Sequence, residues 1–232
     1  MNSLTLAIDV GGSGIKAIIL EDDGLAVSDK FVIATPESAT PAKLIDVLLD
    51  VIAKHDTCDR LAIGFPSVVE RGVTRGAINL HPDWDGFPLG QVLQEKTGKP
   101  VKIANDADVQ GYGAIASQGV ELVITLGTGF GSALFLNGKL LPNLELGQHI
   151  FIGNETYEDR LGQAALNQIG AELWNIRLQE AIASLYKLFN YDKLYIGGGN
   201  ARLISVDLPS NVAIISNDLG LIGGLALWRN QY

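Results

Sequence analysis

One pattern constrains this chain more than any other, and it occurs twice. Leu6-Ala7-Ile8 is an apolar run, Asp9-Val10-Gly11-Gly12-Ser13-Gly14 follows, and residues 15–20 are mostly apolar again. Roughly half a chain later, Val123-Ile124-Thr125-Leu126 leads into Gly127-Thr128-Gly129-Phe130-Gly131 and then Ser132-Ala133-Leu134-Phe135-Leu136. Short apolar runs bounded by glycines read as buried strands. Glycine tolerates φ > 0 and lets the backbone approach a ligand closely. Successive backbone N–H groups in such a turn form an anion-binding concavity. Each hairpin on its own is also compatible with a plain tight turn. The repetition favours two similar lobes, each giving one phosphate loop to a shared cleft. Asp9 stands where the first strand meets its turn, placed to hold a metal ion or its water, and Lys16 adds a positive charge. The first turn does not fit G-x-x-x-x-G-K-[ST], and it does not open a helix as a dinucleotide fingerprint does.

With 232 residues the chain has room for one large domain or two modest ones. Hydrophobic residues make up 47% and charged residues 19%, which supports a substantial core and argues against wholesale disorder. The net charge of −9 argues against nucleic-acid binding, which needs a basic face. A single cysteine, Cys58, excludes an intrachain disulfide and a cysteine-rich zinc site. No signal peptide precedes Leu4 and no apolar run reaches the ~20 residues that span a bilayer, so the expectation is a soluble, cytoplasmic protein with no membrane partner.

Between the hairpins, residues 25–33 read as a third strand, and Thr40-Pro41 as the cap and first residue of a helix through Lys54. Residues 61–67 read as a buried strand ending at Pro66, and 68–78 as a hairpin around Arg71-Gly72. The stretch Asn79-Leu80-His81-Pro82-Asp83-Trp84-Asp85-Gly86 is polar and turn-rich, a composition common in ligand-contacting loops; a tryptophan packed beneath a surface loop is the competing reading. Residues 87–97 read as a helix stopped by Gly98. Val101-Lys102-Ile103-Ala104 is a short strand, and Asn105-Asp106-Ala107-Asp108 opens a helix. Asn or Asp there serves as a cap. A carboxylate at that place is also held ionised by the helix dipole and N–H groups, and such a group can orient and deprotonate an alcohol attacking phosphorus.

After the second hairpin, Glu145-Leu146-Gly147-Gln148-His149 and Gly153-Asn154-Glu155-Thr156-Tyr157-Glu158 are dense in carboxylates and amides, groups suited to vicinal sugar hydroxyls. A metal held by His149, Glu145 and Glu158 is the weaker alternative, and Thr156 with Asp159 also reads as a helix start. Helical patterns cover 157–169 and 171–189. Residues 193–196 form a strand followed by Gly197-Gly198-Gly199-Asn200, where a flat ring or a phosphate can lie against the backbone. A further strand covers 212–215, and a single helix covers 219–228. The domain boundary is expected near Ala104, giving lobes 1–104 and 105–232, with the last helix (219–229) packing back on the first lobe.

Five segments carry a resemblance: Asp9 to Lys16, Asn105 to Asp108, Leu126 to Gly131, Glu145 to Gly147 with Gly153 to Glu158, and Gly197 to Gly199. In this order they are similar to the ROK sugar kinases (repressor, open reading frame, kinase), and most similar to the polyphosphate glucokinase branch. The resemblance implies an α/β fold of the two-lobed, actin-like ATPase and ribonuclease H-like type shared by sugar kinases, hexokinase, actin and heat-shock chaperones. It implies a Mg²⁺-dependent glucokinase that transfers a phosphoryl group from polyphosphate and/or ATP to the 6-hydroxyl of glucose, in a homodimer. On matching positions Asp106 is the general base, and Asn105, Asp106, Glu145 and Glu158 hold sugar hydroxyls, with Gln148, Ser67 and Asn79 beside them. Gly11, Gly12, Ser13, Gly14 and Lys16, with Gly127, Thr128 and Gly129, hold the donor's phosphates. Asp9 sits near Mg²⁺, and Gly198 and Gly199 lie beside an adenosine. No zinc is implied, because the family's common cysteine motif is absent.

Three departures bear on the sugar. The family usually has histidine after Glu-x-Gly, where this chain has Gln148 and then His149. It usually has Pro-Gly where this chain has Pro66-Ser67, and the stretch between Asp108 and Glu121 is short. A kinase for another hexose, or a sugar binder with weak activity, is the alternative. The donor is also open: polyphosphate is a long anion, the chain is acidic, and only Arg71, Arg75, Lys16 and Arg202 offer a local basic lining. A repressor role would need an N-terminal DNA-binding helix pair, for which the first strand leaves no room.

Overall fold

The computed structural model describes residues 3–76 and 80–229. Contacts divide the chain into Met1–Gly113 with Asp218–Tyr232, and Ala114–Asn217.

In the first unit β1 (Thr5–Val10) and β2 (Gly14–Leu20) form the first glycine hairpin, with Asp9 directly opposite Lys16. β3 (Phe31–Ala34) pairs on the outside of β2. The expected strand over 25–33 is reduced to these last residues. Leu25 and Val27 are 60% and 45% exposed, and that stretch is tied to β2 by a single β-bridge between Leu20 and Ala26, by the Val27 amide donating to the Ile19 carbonyl at 3.0 Å and by the Ser28 hydroxyl accepting from the Ile19 amide at 2.9 Å. α1 (Pro41–Lys54) is capped by the Thr40 hydroxyl, which accepts from the Lys43 amide. β4 (Arg60–Phe65) is followed by the small hairpin of β5 (Val68–Glu70) and β6 (Val73–Arg75). α2 (Leu89–Thr97) ends at Gly98 in the left-handed conformation, φ 67°. β7 (Val101–Asn105) runs directly into α3 (Asp106–Ala114).

The second unit opens with β8 (Val120–Leu126) and β9 (Phe130–Leu136), the second glycine hairpin, then β10 (Lys139–Leu141). β11 (Ile150–Ile152) and β12 (Glu155–Thr156) form a short ribbon. Two helices follow, α4 (Tyr157–Leu161) and α5 (Gln163–Phe189). The expected helix over 157–169 is therefore cut at Gly162, which is extended (φ −68°, ψ 172°). A Cβ at Gly162 would lie 2.9 Å from the Glu158 carbonyl and 3.2 Å from that of Thr128. The expected break at Gly170 is present as a left-handed residue, φ 77°, inside α5. β13 (Lys193–Gly197) and β14 (Val212–Ile214) complete this unit. The chain then returns to the first unit as α6 (Leu219–Gly223) and α7 (Ala226–Arg229), two short helices rather than the single one expected.

The two five-stranded sheets have the same plan. The orders are β3-β2-β1-β4-β7 and β10-β9-β8-β13-β14. In each, an antiparallel hairpin leads to strands that run parallel to its first member. Side chains alternate across each strand. In the first unit Leu6, Ile8, Val10, Leu61 and Ile63 face α1 and α2. On the opposite face stand the small residues Ala7, Ala62 and Ala104, against Val109, Leu221, Leu225 and Leu227. In the second unit Trp174, Leu178, Ile182 and Leu185 of α5 pack with Leu122, Ile124, Leu194 and Ile196. Among the described residues no helix is long and apolar enough to cross a membrane.

The small face of the first sheet admits α6 at close range. A Cβ on Gly223 would fall 1.8 Å from the Val109 carbonyl, and one on Gly113 would fall 2.2 Å from that of Leu219. Both obstacles are backbone, so a side chain there forces the helices apart. We expect Gly223→Ala to lower stability by about 1–3 kcal/mol or more, the range for overpacking. Urea denaturation checks it, and an unchanged midpoint would contradict this packing.

Candidate active site

β1, β4 and β7 run parallel, and their register aligns Asp9 with Gly64 and Gly64 with Ala104, so their carboxyl ends share one edge of the first sheet. Ligands of open α/β sheets bind at such edges. The first glycine turn leaves from this edge, and α3 starts there.

In that turn the Gly11 amide donates to the Gly14 carbonyl at 2.9 Å. The Thr35 hydroxyl donates to the Gly11 carbonyl at 2.6 Å, and the Thr35 amide to the Ser13 carbonyl at 3.4 Å. Among the described residues no acceptor takes the amides of Gly12 and Ser13. Asp9 lies behind the turn, 3.6 Å from the Lys16 ammonium. Burial pushes the Asp9 carboxyl above its ordinary pKa; Lys16 opposes that shift and nearby Asp218 adds to it. Lys16 is thus paired with Asp9.

Asn105 closes β7 and caps α3. Its side-chain oxygen accepts from the amides of Ala107 (2.9 Å) and Asp108 (3.3 Å), and its nitrogen donates to the Ser67 carbonyl at 3.2 Å. The capping reading of this motif is thus realised, and the same bonds fix the ring of groups around Asp106. Asp106 is the first residue of α3, and one carboxylate oxygen accepts from the Ala107 amide at 2.9 Å. Gly64 makes room for it, since a Cβ there would stand 3.4 Å from the Asp106 Cα. Ser67 is buried, its hydroxyl donating to the Val68 carbonyl at 3.1 Å, so its main chain is the part that meets Asn105. Trp84 is a core residue. It is fully buried, rests against Phe65 and Phe87, and donates from Nε1 to the Ala39 carbonyl at 2.7 Å. Asn79, the expected sugar contact of that stretch, lies outside the described residues.

The second unit repeats the turn. The Gly127 amide donates to the Gly129 carbonyl at 3.1 Å, the Asn200 side chain donates to the Gly127 carbonyl at 3.3 Å, and the Gln163 amide to the Thr128 carbonyl at 3.2 Å. Among the described residues no acceptor takes the amides of Thr128 and Gly129. Thr125 of β8 is in register with Gly197 of β13, so Gly198 and Gly199 leave from the same edge as this turn. The two glycines differ. Gly198 is at φ 87°, and a Cβ would meet the Leu126 backbone at 2.2 Å, so its glycine is demanded by the sheet. Gly199 faces open space.

Glu158, on α4, accepts from the Phe130 amide at 3.1 Å, just beyond the turn. Thr156 and Asp159 cap α4 reciprocally, leaving Glu158 between them directed elsewhere. Glu145 and Gln148 flank a short 3-10 turn (Leu146–Gln148). Ser132 fastens this loop, donating to the Leu144 carbonyl at 2.5 Å and accepting from the Leu146 amide at 3.2 Å. Gly147 packs on the Phe130 carbonyl, where a Cβ would come within 2.3 Å. Glu145 is an exposed residue, yet protein atoms crowd its carboxylate. Desolvation, and then the charge of Glu158, push its pKa above the ordinary value. Among the described residues no group of three His, Cys, Asp or Glu is gathered to hold a metal ion, so the alternative set of His149, Glu145 and Glu158 is not assembled. Arg75 pairs with Glu70 at 3.7 Å, and Arg202 is exposed.

Residues 5–150 match the model of the ROK family. The chain is 32% identical to a polyphosphate glucokinase of Mycobacterium tuberculosis, over 93% of this chain and 88% of that protein. It shares its structure with the inorganic polyphosphate/ATP-glucomannokinase of an Arthrobacter species at a TM-score of 0.90, with 29% identity and both chains fully covered. A ROK glucokinase from Streptomyces griseus has the same fold at a TM-score of 0.78 and 20% identity, over 97% of this chain and 99% of that one. The fold is thus the actin-like ATPase fold of the sugar kinases, and the chain belongs to the ROK family.

Proposed function

We propose that this protein is a hexose kinase that transfers a phosphoryl group from polyphosphate and/or ATP to the 6-hydroxyl of glucose. The observation that carries this reading is the pair of glycine turns, each presenting, at the carboxyl edge of its sheet, two adjacent amides that no acceptor takes among the described residues. The kinship with a polyphosphate glucokinase and with a polyphosphate/ATP-glucomannokinase supports these donors and this sugar.

In this mechanism Asp106 accepts the proton of the 6-hydroxyl as that oxygen attacks phosphorus. Its bond to the Ala107 amide and the capped start of α3 fix its direction. Asn105, Glu145, Glu158 and Gln148 hold sugar hydroxyls, with the Ser67 main chain keeping Asn105 in place. The amides of Gly12, Ser13, Thr128 and Gly129 take phosphate oxygens and spread the charge that develops in transfer. Asp9 suits Mg²⁺: a hard cation bound through one carboxylate and the donor's own oxygens, at an acid whose burial disfavours its bare charge. When bound, the ion neutralises phosphate charge.

We expect Asp106→Asn to fold normally and to lose at least ~10²-fold in kcat, the scale of a general base. Near wild-type turnover with glucose on either donor would remove Asp106 from the chemistry, and turnover with mannose but not glucose would reassign the sugar. Gly199→Ala separates the donors. A side chain there has room in the protein but intrudes where adenosine would lie, so KM for ATP should rise several-fold while KM for polyphosphate and the melting temperature hold. Equal effects on both donors would move the adenosine elsewhere.

Glu145 gives a pH prediction. Its folded pKa is raised, so the native state binds more protons than the unfolded state as pH climbs past 4.5, and stability declines from there through the folded pKa. Glu145→Gln removes that penalty. We expect the variant to melt higher than wild type at pH 7–8, with the gap closing toward pH 4.5, and to show a raised KM for glucose. A lower melting temperature at neutral pH would contradict the crowding of this carboxylate.

A further inference from the structure

A turn that offers N–H groups to an anion must keep its carbonyls from turning toward the same anion. In both glycine turns donors from outside the hairpin take two of the carbonyls. In the first, Thr35, just past β3, takes the Gly11 carbonyl with its hydroxyl (2.6 Å) and the Ser13 carbonyl with its amide (3.4 Å). In the second, the buried Asn200 takes the Gly127 carbonyl (3.3 Å), and the amide of Gln163, first residue of α5, takes that of Thr128 (3.2 Å). What remains at each tip is a pair of adjacent amides, Gly12 with Ser13 and Thr128 with Gly129; between the first pair the Gly12 carbonyl has no protein donor among the described residues, whereas between the second pair the Thr128 carbonyl is held by Gln163.

We propose that Thr35, and Asn200 together with the Gln163 main-chain amide, are the positioning groups of the two phosphate turns, pinning the carbonyls back so that the tip amides stay aimed at a phosphate chain. None of these groups needs to touch the donor. The inference rests on the kinase reading for the identity of the anion, but not for its test, which uses an inorganic phosphate chain and no sugar.

The fold offers a direct perturbation. Gln163 is the first residue of a helix, where proline is at home and its missing N–H is ordinarily an orphan. Gly162 before it is already extended at φ −68°, ψ 172°, the conformation that proline demands of its predecessor. Gln163→Pro deletes the bond to Thr128 and, because its ring carbon stands where the N–H was, also presses on the Thr128 carbonyl, so the loss of one hydrogen bond is the least effect expected of it. The Gln163 side chain bonds only the exposed Asn167, so Gln163→Ala keeps the amide and serves as its control. In the first unit Thr35→Val deletes the hydroxyl at constant shape, and Thr35→Ser restores it.

Affinity for tripolyphosphate is measured by titration calorimetry on the full chain, with melting curves for each variant. Thr35→Val should weaken binding about five-fold, the ratio given by one hydrogen bond of ~1 kcal/mol, and Gln163→Pro at least as much. Gln163→Ala and Thr35→Ser should bind as wild type. Should Gln163→Pro fail to fold, the Thr35 pair decides. Unchanged affinity in folded Thr35→Val and Gln163→Pro overturns the proposal, as does a wild type that does not bind tripolyphosphate. If the wild type phosphorylates glucose while these variants bind normally, the positioning role falls and the kinase reading stands. If it binds tripolyphosphate and the variants weaken, yet no sugar is phosphorylated, the reverse holds.

Discussion

Backbone amides are fixed donors, and a chain can aim them only by disposing of the carbonyls that alternate with them. The two glycine turns do so in one way. An internal bond from the first glycine closes the turn, outside donors take two of its carbonyls, and two tip amides are left over. Much of each unit serves that arrangement. The hairpin strands are the inner members of their sheets, flanked on both sides by partners, so the turns stand on rigid stems. Glycine is required where the surrounding backbone closes in, as at Gly147 against Phe130 and Gly198 against Leu126.

The second unit joins what holds the turn to what we assign to the sugar. α4 carries Glu158, which receives the Phe130 amide at the exit of the turn. Two residues past the end of α4, Gln163 donates to the Thr128 carbonyl. The intervening Gly162 cannot carry a side chain without striking the Glu158 and Thr128 carbonyls. Movement of α4 is thus felt at the turn through two direct bonds. In the first unit Asn105 plays a comparable part, linking the Ser67 main chain to the start of the helix that carries Asp106.

The two glycine hairpins were legible because each joins short apolar runs through glycines, and the capped starts of α1 and α4 because Thr40 and Thr156 stand beside the residues they cap; β10, β11 and β12 were not read from the sequence. Asp106 was legible as the opening of a helix after a strand. Thr35, Ser132, Asn200 and the Gln163 amide were not, because a hydroxyl, an amide side chain or a main-chain N–H declares its partner only when distant segments meet. The run from Leu25 misled because apolar composition alone does not reveal that two of its members face solvent. Trp84 read as a ligand contact or as packing until Phe65, Phe87 and the Ala39 carbonyl were seen to enclose it. The single closing helix split because Gly223 and Gly224 are placed for close approach to α3 and the sheet.

We propose that backbone amides at two matched turns grip the phosphates of the donor. Amide chemical shifts followed by nuclear magnetic resonance during titration with tripolyphosphate report on this grip residue by residue. The amides of Gly12, Ser13, Thr128 and Gly129 should shift most, together and saturably. Saturable binding that leaves these four signals in place would contradict it.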